Sequence, residues 1–444
     1  MAFGWKVHGE KGTLAPGEVV KPDERLSWPR MVGFGAQHVI AMFGATFVFP
    51  VVMGLDPNVA VMMSGVATII FLLIVNGKIP SYLGTSASFV GGAAAIAADG
   101  GGPATITGAI LVAGVVLALC GVVIHFLGIG VINRIFPPVV TGAVVMLIGF
   151  GLAYVVADIY WPQDQWIALI TMLVTFVIIA LFRGFIGRLG ILIGLVAGFV
   201  LSWLADRVFG QITAPTGAGE VTSHFRVDFT GVEQADWFGL PSFHAPDFKL
   251  SAIIVVLPAV IALIAENIGH VKAVGEMTGT DVDPVMGRAI IGDGVATVVT
   301  SAVGGSPTTT YAENIGVMAA TRVYSTLAYY IAAVIAILLG LVPKFGALVY
   351  AIPGGVLGGV TVILYGMIGL LGAKIWIENR VDFADPVNMV PIGAGIILAI
   401  GPVNMQIVEG FDLGGIALGT VVVLGGYHLL RALSRSRTSA SSSS

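Results

Sequence analysis

Charged residues and cysteine are scarce in this sequence. Asp, Glu, Lys and Arg together make up 10% of its 444 residues, whereas a soluble domain carries about 25%. This scarcity excludes a water-soluble globular fold, because so few charges could not cover a surface of that size. The single cysteine, Cys120, excludes an intrachain disulfide and a cysteine-based metal site. No glycine-rich nucleotide-binding loop is present, which argues against ATP-driven transport.

Apolar and small residues are abundant instead. Hydrophobic residues account for 57% of the chain, the mean hydropathy is +0.97, and there are 61 glycines. Glycine at this frequency suits helices that pack closely in lipid, and a helix needs about 20 apolar residues to cross the hydrocarbon core. We predict spans at 31–54, 59–76, 103–126, 137–157, 166–182, 187–205, 251–271, 284–303, 325–342, 347–371, 386–402 and 410–430.

Two further apolar stretches, 82–98 and 307–320, are short and rich in small and hydroxyl residues. Pro80 precedes the first and Pro307 opens the second. We therefore expect both segments to be partly unwound. Non-helical backbone at membrane depth is tolerated only where it is buried in protein or lines a cavity.

The distribution of basic residues predicts 14 spans with both termini in the cytoplasm. With that count, 17 of the 21 Lys and Arg residues fall on the cytoplasmic side and 4 on the outer side, as the positive-inside rule requires. The predicted organisation is a cytoplasmic N-terminal segment, two seven-span repeats separated by an extracytoplasmic loop, and a disordered C-terminal tail. Their bounds are 1–30, 31–206, 207–250, 251–431 and 432–444.

Similar phrases recur at matching places in the two halves. The phrase at 137–142 (PPVVTG) resembles 353–358 (PGGVLG), and 190–194 (GILIG) resembles 415–419 (GIALG). The broken segments are the third of each half. Because seven is odd, the second half would insert upside down, and inverted repeats with interrupted helices are typical of secondary transporters. Chance recurrence of Gly and Pro phrases is the alternative.

Glu266 and His270 lie four residues apart in the eighth span and so share one helix face. A carboxylate there can accept N–H bonds from a polar ring, and a histidine that titrates near neutrality makes proton coupling available. The alternative is an ion pair near the membrane surface that only stabilises the helix.

Glu313 lies in the broken tenth segment, where freed backbone groups would surround it. This arrangement suits a planar solute with alternating N–H and C=O groups. The alternative is a carboxylate that caps a helix start and binds nothing.

Gln37 and His38 in the first span and Asp293 in the ninth are polar residues within apolar stretches. Gln37 and His38 could orient a carboxylate or bind solute through water, or form a buried structural pair. Asp293 could pair with a neighbour in the core, which is the favoured reading, or join a proton path. Ionisable groups at this depth usually face a cavity or a partner.

These motifs resemble those of the nucleobase–ascorbate transporter family. The run Glu313–Gly316 (ENIG) followed by Thr321–Arg322, the first-span Gln37–His38 and the eighth-span run Ala265–His270 (AENIGH) each resemble a family element. The similarity runs from Pro22 to about Leu430 and is greatest to proton-coupled uracil and pyrimidine permeases.

The resemblance implies an all-helical fold of 14 segments in a 7+7 inverted repeat. Spans 1–4 and 8–11 would form a core domain and spans 5–7 and 12–14 a gate domain, with short antiparallel strands in the broken segments. The implied partners are a nucleobase, membrane lipid and a second copy of the chain, without nucleic acid, metal or cofactor other than the coupling proton. The implied location is a bacterial inner membrane.

The resemblance also implies site residues. Glu266 and Glu313 would hold the pyrimidine, with His270 coupling the proton and Asn314 in the supporting polar network. The other implied substrate contacts are backbone at Ala87, Tyr311 and Ala312, and the Tyr365 ring from the gate side. Some uracil permeases carry a bulkier aromatic where this chain has Ala87 and Ser88. Glu at position 313 favours a uracil-like ligand over a purine.

Several rival functions remain open from the sequence. A sodium-coupled purine or ascorbate carrier is the nearest. An anion carrier of the same architecture would need positive charge or helix N-termini near the broken segments, where this chain carries carboxylates. A channel would need rings of like groups along a pore, and an enzyme would need a nucleophile–base or metal constellation. The isolated polar positions match neither.

Overall fold

The computed structural model describes residues 4–9, 12, 14, 18–216, 219–401, 403–408 and 411–441. Helices dominate this part of the chain. They are α1 (Trp28–Val52), α2 (Pro57–Ile74), α3 (Val90–Ala98), α4 (Pro103–Leu127), α5 (Gly130–Ile135), α6 (Pro138–Gly151), α7 (Gln165–Leu181), α8 (Phe185–Arg188), α9 (Gly190–Phe209), α10 (Thr230–Gln234), α11 (Leu250–Val256), α12 (Pro258–Thr278), α13 (Asp283–Ser301), α14 (Ala312–Thr321), α15 (Thr326–Gly340), α16 (Pro343–Tyr350), α17 (Gly354–Glu378), α18 (Pro386–Ile400) and α19 (Gly415–Ser441).

Short strands form four two-stranded pairs in the described residues. The strands are β1 (Lys6–Val7), β2 (Glu24–Arg25), β3 (Leu83–Thr85), β4 (Ile212–Pro215), β5 (Val221–His224), β6 (Thr308–Thr310), β7 (Asn404–Val408) and β8 (Phe411–Gly414). The pairs are β1–β2, β3–β6, β4–β5 and β7–β8. A 3₁₀ turn (Ala87–Phe89) precedes α3, and a π-helical stretch (Val155–Tyr160) follows α6.

Eight helical stretches of the described residues are long and apolar enough to cross a membrane. A ninth would combine α15 and α16, which are bent by 81° relative to each other. Shorter apolar helices occur at Ala87–Ala98, Gln165–Leu181 and Pro386–Ile400. Helices α13 and α14 lie in two further predicted segments, so that each of the 14 predicted segments contains a helix. The chain therefore has the composition and helix lengths of a multi-pass membrane protein.

The two segments predicted to be unwound pair with each other. Leu83, Gly84 and Thr85 of β3 lie opposite Thr310, Thr309 and Thr308 of β6 in an antiparallel register. The ladder continues at both ends, because the Ser86 amide donates to the Pro307 carbonyl (2.9 Å) and the Tyr311 amide to the Tyr82 carbonyl (3.1 Å). Each strand thus satisfies the backbone groups of the other, as buried non-helical backbone must.

Glycine is required at position 84. A Cβ placed there would collide with the Tyr311 ring and lie 2.6 Å from Oγ1 of Thr46. The ring can therefore lie flat against the β3 backbone only because this residue has no side chain. On the partner strand, β6, the three threonines are β-branched residues, which favour the extended conformation.

The repeated phrases have matching structural roles in the two halves. Pro137 is the N-cap of α6 and Pro353 the N-cap of α17, while Gly190 begins α9 and Gly415 begins α19. Helices of the two halves also pack on each other, α4 on α13, α2 on α15 and α6 on α17. At the α6–α17 contact, Gly149 lies against Gly369, and a Cβ at either position would collide.

Several predicted boundaries are wrong. The span expected at 347–371 is α17 at Gly354–Glu378. The helix begins later because Pro353 disfavours a helical conformation at the residue before it and is itself the N-cap of α17. The span expected at 410–430 begins at Gly415, since the preceding residues form the β7–β8 hairpin. Helix α12 runs to Thr278 rather than 271 and ends at Gly279, whose φ of 63° is left-handed.

The C-terminal tail differs from the prediction in part. Disorder is expected from residue 432, whereas α19 continues to Ser441. A helix that is already formed lengthens at one hydrogen bond per residue without a new nucleation step, so the polar residues after 431 extend it. The last residues of the predicted tail, 442–444, lie outside the described part of the chain.

An ionic cluster anchors the loop between α9 and α11 to the helices. Nε of Arg226 lies 2.7 Å from Oδ2 of Asp164, the N-cap of α7, and its Nη1 lies 3.1 Å from Oδ1 of Asp206 near the end of α9. The side chains of Asp164 and Asp206 are 8% and 9% exposed. Arg226 therefore neutralises two buried carboxylates and joins the loop to α7 and α9.

Candidate functional site

The β3–β6 pair is the place where the polar residues of the second half converge. Helix α12 carries Glu266 and His270, α13 carries Asp293, and α14 begins directly after β6 and carries Glu313 in its first turn. Three of the four predicted ionisable groups are half-buried, while Asp293 is fully buried. The structure thus brings together side chains that lie in three separate spans.

A chain of hydrogen bonds links α12, β6 and α13. Nδ1 of His270 lies 2.9 Å from Oγ1 of Thr310, and that hydroxyl lies 3.2 Å from Oδ1 of Asn267, to which it donates. Asn267 donates through Nδ2 to Oδ2 of Asp293, and the Thr308 hydroxyl donates to Oδ1 of Asp293 at 3.3 Å. In this arrangement Nδ1 of His270 carries the hydrogen, because the Thr310 hydroxyl is already used as a donor.

The structure does not show the ion pair that was the alternative interpretation of Glu266 and His270. No ion pair joins the two side chains within the described residues. His270 also does not sit at the end of its helix, since α12 continues two turns beyond it. Its partner is Thr310, a residue of β6 that sequence spacing could not indicate.

The carboxyl group of Glu266 interacts electrostatically with those of Asp293 and Glu313, and it also interacts with Thr309. Thr309 is buried, and its hydroxyl has no hydrogen-bond partner of standard geometry. Charges at this depth are costly unless they are paired or face a cavity. Ala312 beside Glu313 and Gly269 on the Glu266 helix are exposed, so the carboxylates are not sealed from small molecules in this conformation.

Glu313 lies among N–H groups at the start of α14. The amides of Ala312 and Glu313 are in the first helical turn, where no intrahelical acceptor exists. The amide and carbonyl of Tyr311 are already used, by the Tyr82 carbonyl and the Ile315 amide (3.2 Å). The first turn of α14 thus offers donors beside a carboxylate, while the Tyr311 backbone offers little.

The Tyr311 side chain has a role that sequence reasoning missed. Its hydroxyl donates to the Thr85 carbonyl at 2.7 Å and accepts from Oγ1 of Thr46 at 3.1 Å. Oγ1 of Thr85 in turn lies 2.7 Å from Oγ of Ser306. These bonds join α1, β3 and the approach to β6 behind the site. The run of hydroxyl residues at 306–310 is the sequence signal that could have revealed them.

His38 joins the site, whereas Gln37 does not. Nδ2 of Asn314 lies 3.1 Å from Nδ1 of His38 and donates to the His38 carbonyl at 3.0 Å. The buried His38 ring also lies 4.3 Å from that of Tyr329. Gln37 lines a separate cavity of about 300 Å³ with Arg30 and other residues near the N-terminal segment. The first-span motif therefore holds α14 through the residue next to Glu313.

Ala87 and Tyr365 approach from other elements. Ala87 opens the 3₁₀ turn that follows β3 and is half-buried. Tyr365 is buried in α17, where its hydroxyl has no partner within the described residues. It interacts electrostatically with Tyr154 and Tyr160, the latter in the π-helical stretch. Within the described part of the chain, no hydrogen bond joins Tyr365 to Glu266 or Glu313.

No group of three or more His, Cys, Asp and Glu side chains suited to a metal ion occurs in the described residues. Asp293 instead accepts hydrogen bonds from Nδ2 of Asn267 and from the Thr308 hydroxyl.

Residues 30–408 match the profile of the Permease family, Xan_ur_permease. The chain is 44% identical over 427 residues to the putative pyrimidine permease RutG of Escherichia coli K12, covering 94% of this chain and 93% of that protein. It is 34% identical over 418 residues to the uracil permease of Bacillus subtilis 168, covering 89% and 91%.

Solved structures with the same fold are more distant in sequence. The transmembrane domain of the cyanobacterial bicarbonate transporter BicA superposes with a TM-score of 0.58 at 14% identity, covering 89% of this chain and 96% of that one. Murine Slc26a9, an anion transporter, superposes with a TM-score of 0.64 at 11% identity, covering 92% and 69%. At this identity the likeness establishes the fold alone.

Proposed function

The chain belongs to the Permease family that includes the nucleobase–ascorbate transporters, and from this we propose that it imports uracil or a related pyrimidine by proton symport. The family predicted from the motifs is confirmed by the profile match and by the identity to pyrimidine and uracil permeases. These relatives are carriers, so the chain is a transporter of small solutes in a bacterial membrane rather than an enzyme.

The observation that supports the substrate proposal is the placement of Glu266 beside the paired strands, where it interacts with Glu313 of α14 and with Thr309 of β6. Uracil presents ring N–H groups and carbonyls in alternation. Carboxylates accept from the ring N–H groups, and backbone amides at Ala312, in the first turn of α14, and at Ala87 would donate to the carbonyls. Tyr365 completes the pocket from the gate side.

Proton coupling is proposed at His270 and Glu266. The hydrogen-bonded chain through Thr310 and Asn267 connects His270 to Asp293. Glu266 interacts with the carboxyl groups of both Asp293 and Glu313, and ionisation of all three is unfavourable because like charges repel strongly in a low dielectric. A proton taken up in this network lowers that cost and permits the substrate to bind, so that the proton gradient drives accumulation.

The architecture proposed for transport has 14 spans in two inverted repeats. Spans 1–4 and 8–11 form the core, and spans 5–7 and 12–14 form the gate, which rocks against the core. Both termini are cytoplasmic, and two copies associate through their gate domains. The matching roles of Pro137 and Pro353 at helix starts support the repeat.

Uptake into proteoliposomes tests the coupling. Labelled uracil should accumulate only when the outside is more acidic than the inside, and the imposed gradient should set the rate. Entry at the same rate with and without a pH gradient would contradict proton symport. Intact uracil recovered from the lumen would distinguish carriage from chemical conversion.

Binding to variants tests the site. Glu313→Gln keeps the size of the side chain but replaces a carboxylate with an amide, so uracil affinity should fall by about tenfold or more, as for a lost charge-assisted hydrogen bond. Glu276→Gln is the matched control, because Glu276 is exposed on the same helix as Glu266. Equal affinities for Glu313→Gln and wild type would contradict the assignment.

The remaining alternatives are a xanthine or ascorbate symporter of the same family and an anion carrier of the same fold. A thermal-shift panel with uracil, thymine, xanthine and ascorbate distinguishes a xanthine or ascorbate symporter from a pyrimidine carrier. Stabilisation by bicarbonate or sulfate but not by uracil would favour the second, although carboxylates at the site repel anions.

A further inference from the structure

The N-terminal segment of the chain is docked on the turn that follows the Glu313 helix. We call residues 5–8 and 18–26 the strap. Within it, β1 and β2 pair in parallel, and their ladder is extended where the His8 amide donates to the Arg25 carbonyl at 2.9 Å. The strap therefore has two limbs, and one surface of it faces the body of the protein.

The target of the strap is the turn at 322–326 between α14 and α15. The Val20 amide donates to the Arg322 carbonyl (3.0 Å), and the Tyr324 amide donates to the Val20 carbonyl (2.8 Å). Nε1 of Trp5 donates to Oγ1 of Thr326 at 2.8 Å. The contact is also apolar, because a buried cluster joins the strap to the turn and to α1 and α15: Val20, Leu26, Met31, Val323, Leu327 and Ala328.

The turn bears directly on the candidate site. Helix α14 is only 10 residues long, with Glu313 in its first turn and Arg322 as its C-cap. Arg322 has a φ of 58°, a left-handed conformation that a residue with a side chain adopts at a cost of about 1 kcal/mol or more. The bond from Val20 to its carbonyl helps to hold that conformation. The strap thus supports the end of the short helix that carries Glu313.

His8 joins the two limbs of the strap. Nδ1 of its ring lies 2.9 Å from Oε2 of Glu24, and Nε2 lies 3.3 Å from Oε2 of Glu18. A neutral imidazole has one N–H and can donate to only one of these carboxylates, whereas the imidazolium can donate to both. The geometry is therefore that of a protonated ring.

Glu24 continues the connection to the body of the protein. Its carboxylate accepts hydrogen bonds from the His8 ring and from the Lys21 amide (3.0 Å). Its backbone carbonyl accepts a hydrogen bond from Oγ of Ser325 in the turn. A change of charge at His8 is thus one residue away from the docked surface.

Several charged groups surround the His8 ring. Glu18 and Glu24 face the ring, and Lys6, Lys21, Asp23 and Arg25 lie on the same two limbs, while Arg322 is the charged residue of the turn. The hydrogen bond to Glu24, with that to Glu18, raises the pKa of His8 above its ordinary 6.5 despite partial burial. The Lys21 amide and His8 lower the pKa of Glu24 against the opposing effect of burial.

We propose that His8 is a pH-sensitive latch on the cytoplasmic side, which holds the strap on the 322–326 turn when protonated and releases it when neutral. Because its pKa is raised on docking, the stabilisation is complete below pH 6.5 and is lost as the pH rises through the pKa of the docked form. Release weakens the support of the Glu313 helix, so an alkaline cytoplasm slows transport. This last step, and the cytoplasmic location, rest on the proposed function.

Hydrogen exchange tests the docking without any transport measurement. After correction for the intrinsic effect of pH, peptides covering 18–26 and 320–328 should lose protection by about threefold between pH 6 and 8, as for a partly exposed ion pair. In His8→Gln the protection should not change with pH. His224→Gln, in the outer loop, is the control and should behave as wild type. Protection that is independent of pH in wild type, or that changes equally in His8→Gln, would overturn the latch.

Uracil counterflow in proteoliposomes with equal pH on both sides tests the consequence without a proton gradient. The rate in wild type should fall between pH 6.5 and 8, and the part of this fall that depends on His8 should be absent in His8→Gln. Superimposable pH profiles would overturn the link to transport even if the strap itself responds. Absence of counterflow in every variant, together with normal pH-dependent protection, would contradict the proposed function and leave the docking latch standing.

Discussion

Nδ1 of His270 lies 2.9 Å from Oγ1 of Thr310. This contact ties the helix that carries Glu266 to the strand that leads into Glu313, and it places a titratable ring at the end of a hydrogen-bonded chain that reaches Asp293. The two carboxylates proposed to bind solute are thus positioned by a histidine and a threonine that lie on different spans. Four predictions follow from this site and from the contacts that support it.

Thr310→Val should uncouple the histidine from the chain. The substitution keeps the shape of the side chain but removes the hydroxyl, which leaves His270 and Asn267 without a shared partner. We expect gradient-driven uptake to fall by about tenfold, since a buried polar group left unsatisfied costs about 1–3 kcal/mol. Thr310→Ser should restore most of the rate.

Thr361→Val is the matched control for Thr310→Val, because its hydroxyl bonds only to carbonyls of its own helix, at 2.8 and 3.2 Å. Uptake with and without an imposed gradient separates coupling from binding. Equal losses in the Thr310 and Thr361 variants would contradict the special position of Thr310.

Gly84→Ala should separate the paired strands. The added methyl group would collide with the Tyr311 ring and with Oγ1 of Thr46, and overpacking of this kind costs about 1–3 kcal/mol. We expect a lower unfolding temperature and loss of uracil binding by isothermal titration. Gly231→Ala is the control, because a Cβ at that position would meet nothing within 4 Å and should leave both measurements unchanged.

Asn267→Leu should destabilise the protein through Asp293. Asn267 and Asp293 are both fully buried, and the substitution removes the N–H donor that Asp293 accepts from. The free energy of unfolding should fall by about 2 kcal/mol, measured by thermal unfolding in detergent. The double variant with Asp293→Asn should recover part of the loss, because no carboxylate then remains without its donor. A double variant less stable than the single one would refute this explanation.

Arg226→Gln should loosen the loop between α9 and α11 without changing the solute site. Asp164 and Asp206 would be left without their counter-ion while almost fully buried, which costs about 3–5 kcal/mol when one partner of a buried pair is removed. The unfolding temperature should drop markedly, whereas uracil affinity at low temperature should stay at the wild-type value. Lys249→Gln, at an exposed basic residue of the same loop, should change neither.

Part of the site was predictable from local sequence. Glu266 and Glu313 stand out because a carboxylate is expensive in an apolar segment whatever surrounds it. Proline and small residues marked 82–98 and 307–320 as broken, and the structure has strands at both. These features depend on the residue types themselves, so a single sequence is enough to reveal them.

Other parts of the site depended on which residues meet across the fold. His270 lies four residues from Glu266, but sequence spacing could not indicate that its ring also bonds to Thr310. His38 and Gln37 are adjacent, yet only His38 meets Asn314, because neighbouring residues on a helix point in different directions. The Tyr311 hydroxyl bonds to the Thr85 carbonyl across a separation of 226 residues, a distance that no local pattern encodes.

The amino-acid sequence is enough to predict that this protein lies in a membrane, where most of its spans begin to within a few residues, and that Glu266 and Glu313 stand in apolar segments. Hydropathy, proline and isolated charge act locally, so their effects can be recognised without knowledge of the fold. The pairing of the two broken segments, the connection of His270 to Asp293 through threonines of β6, and the contact of the N-terminal strap with the end of the Glu313 helix became visible only in the folded structure. Those contacts join residues far apart in the chain, and the packing of whole helices selects them.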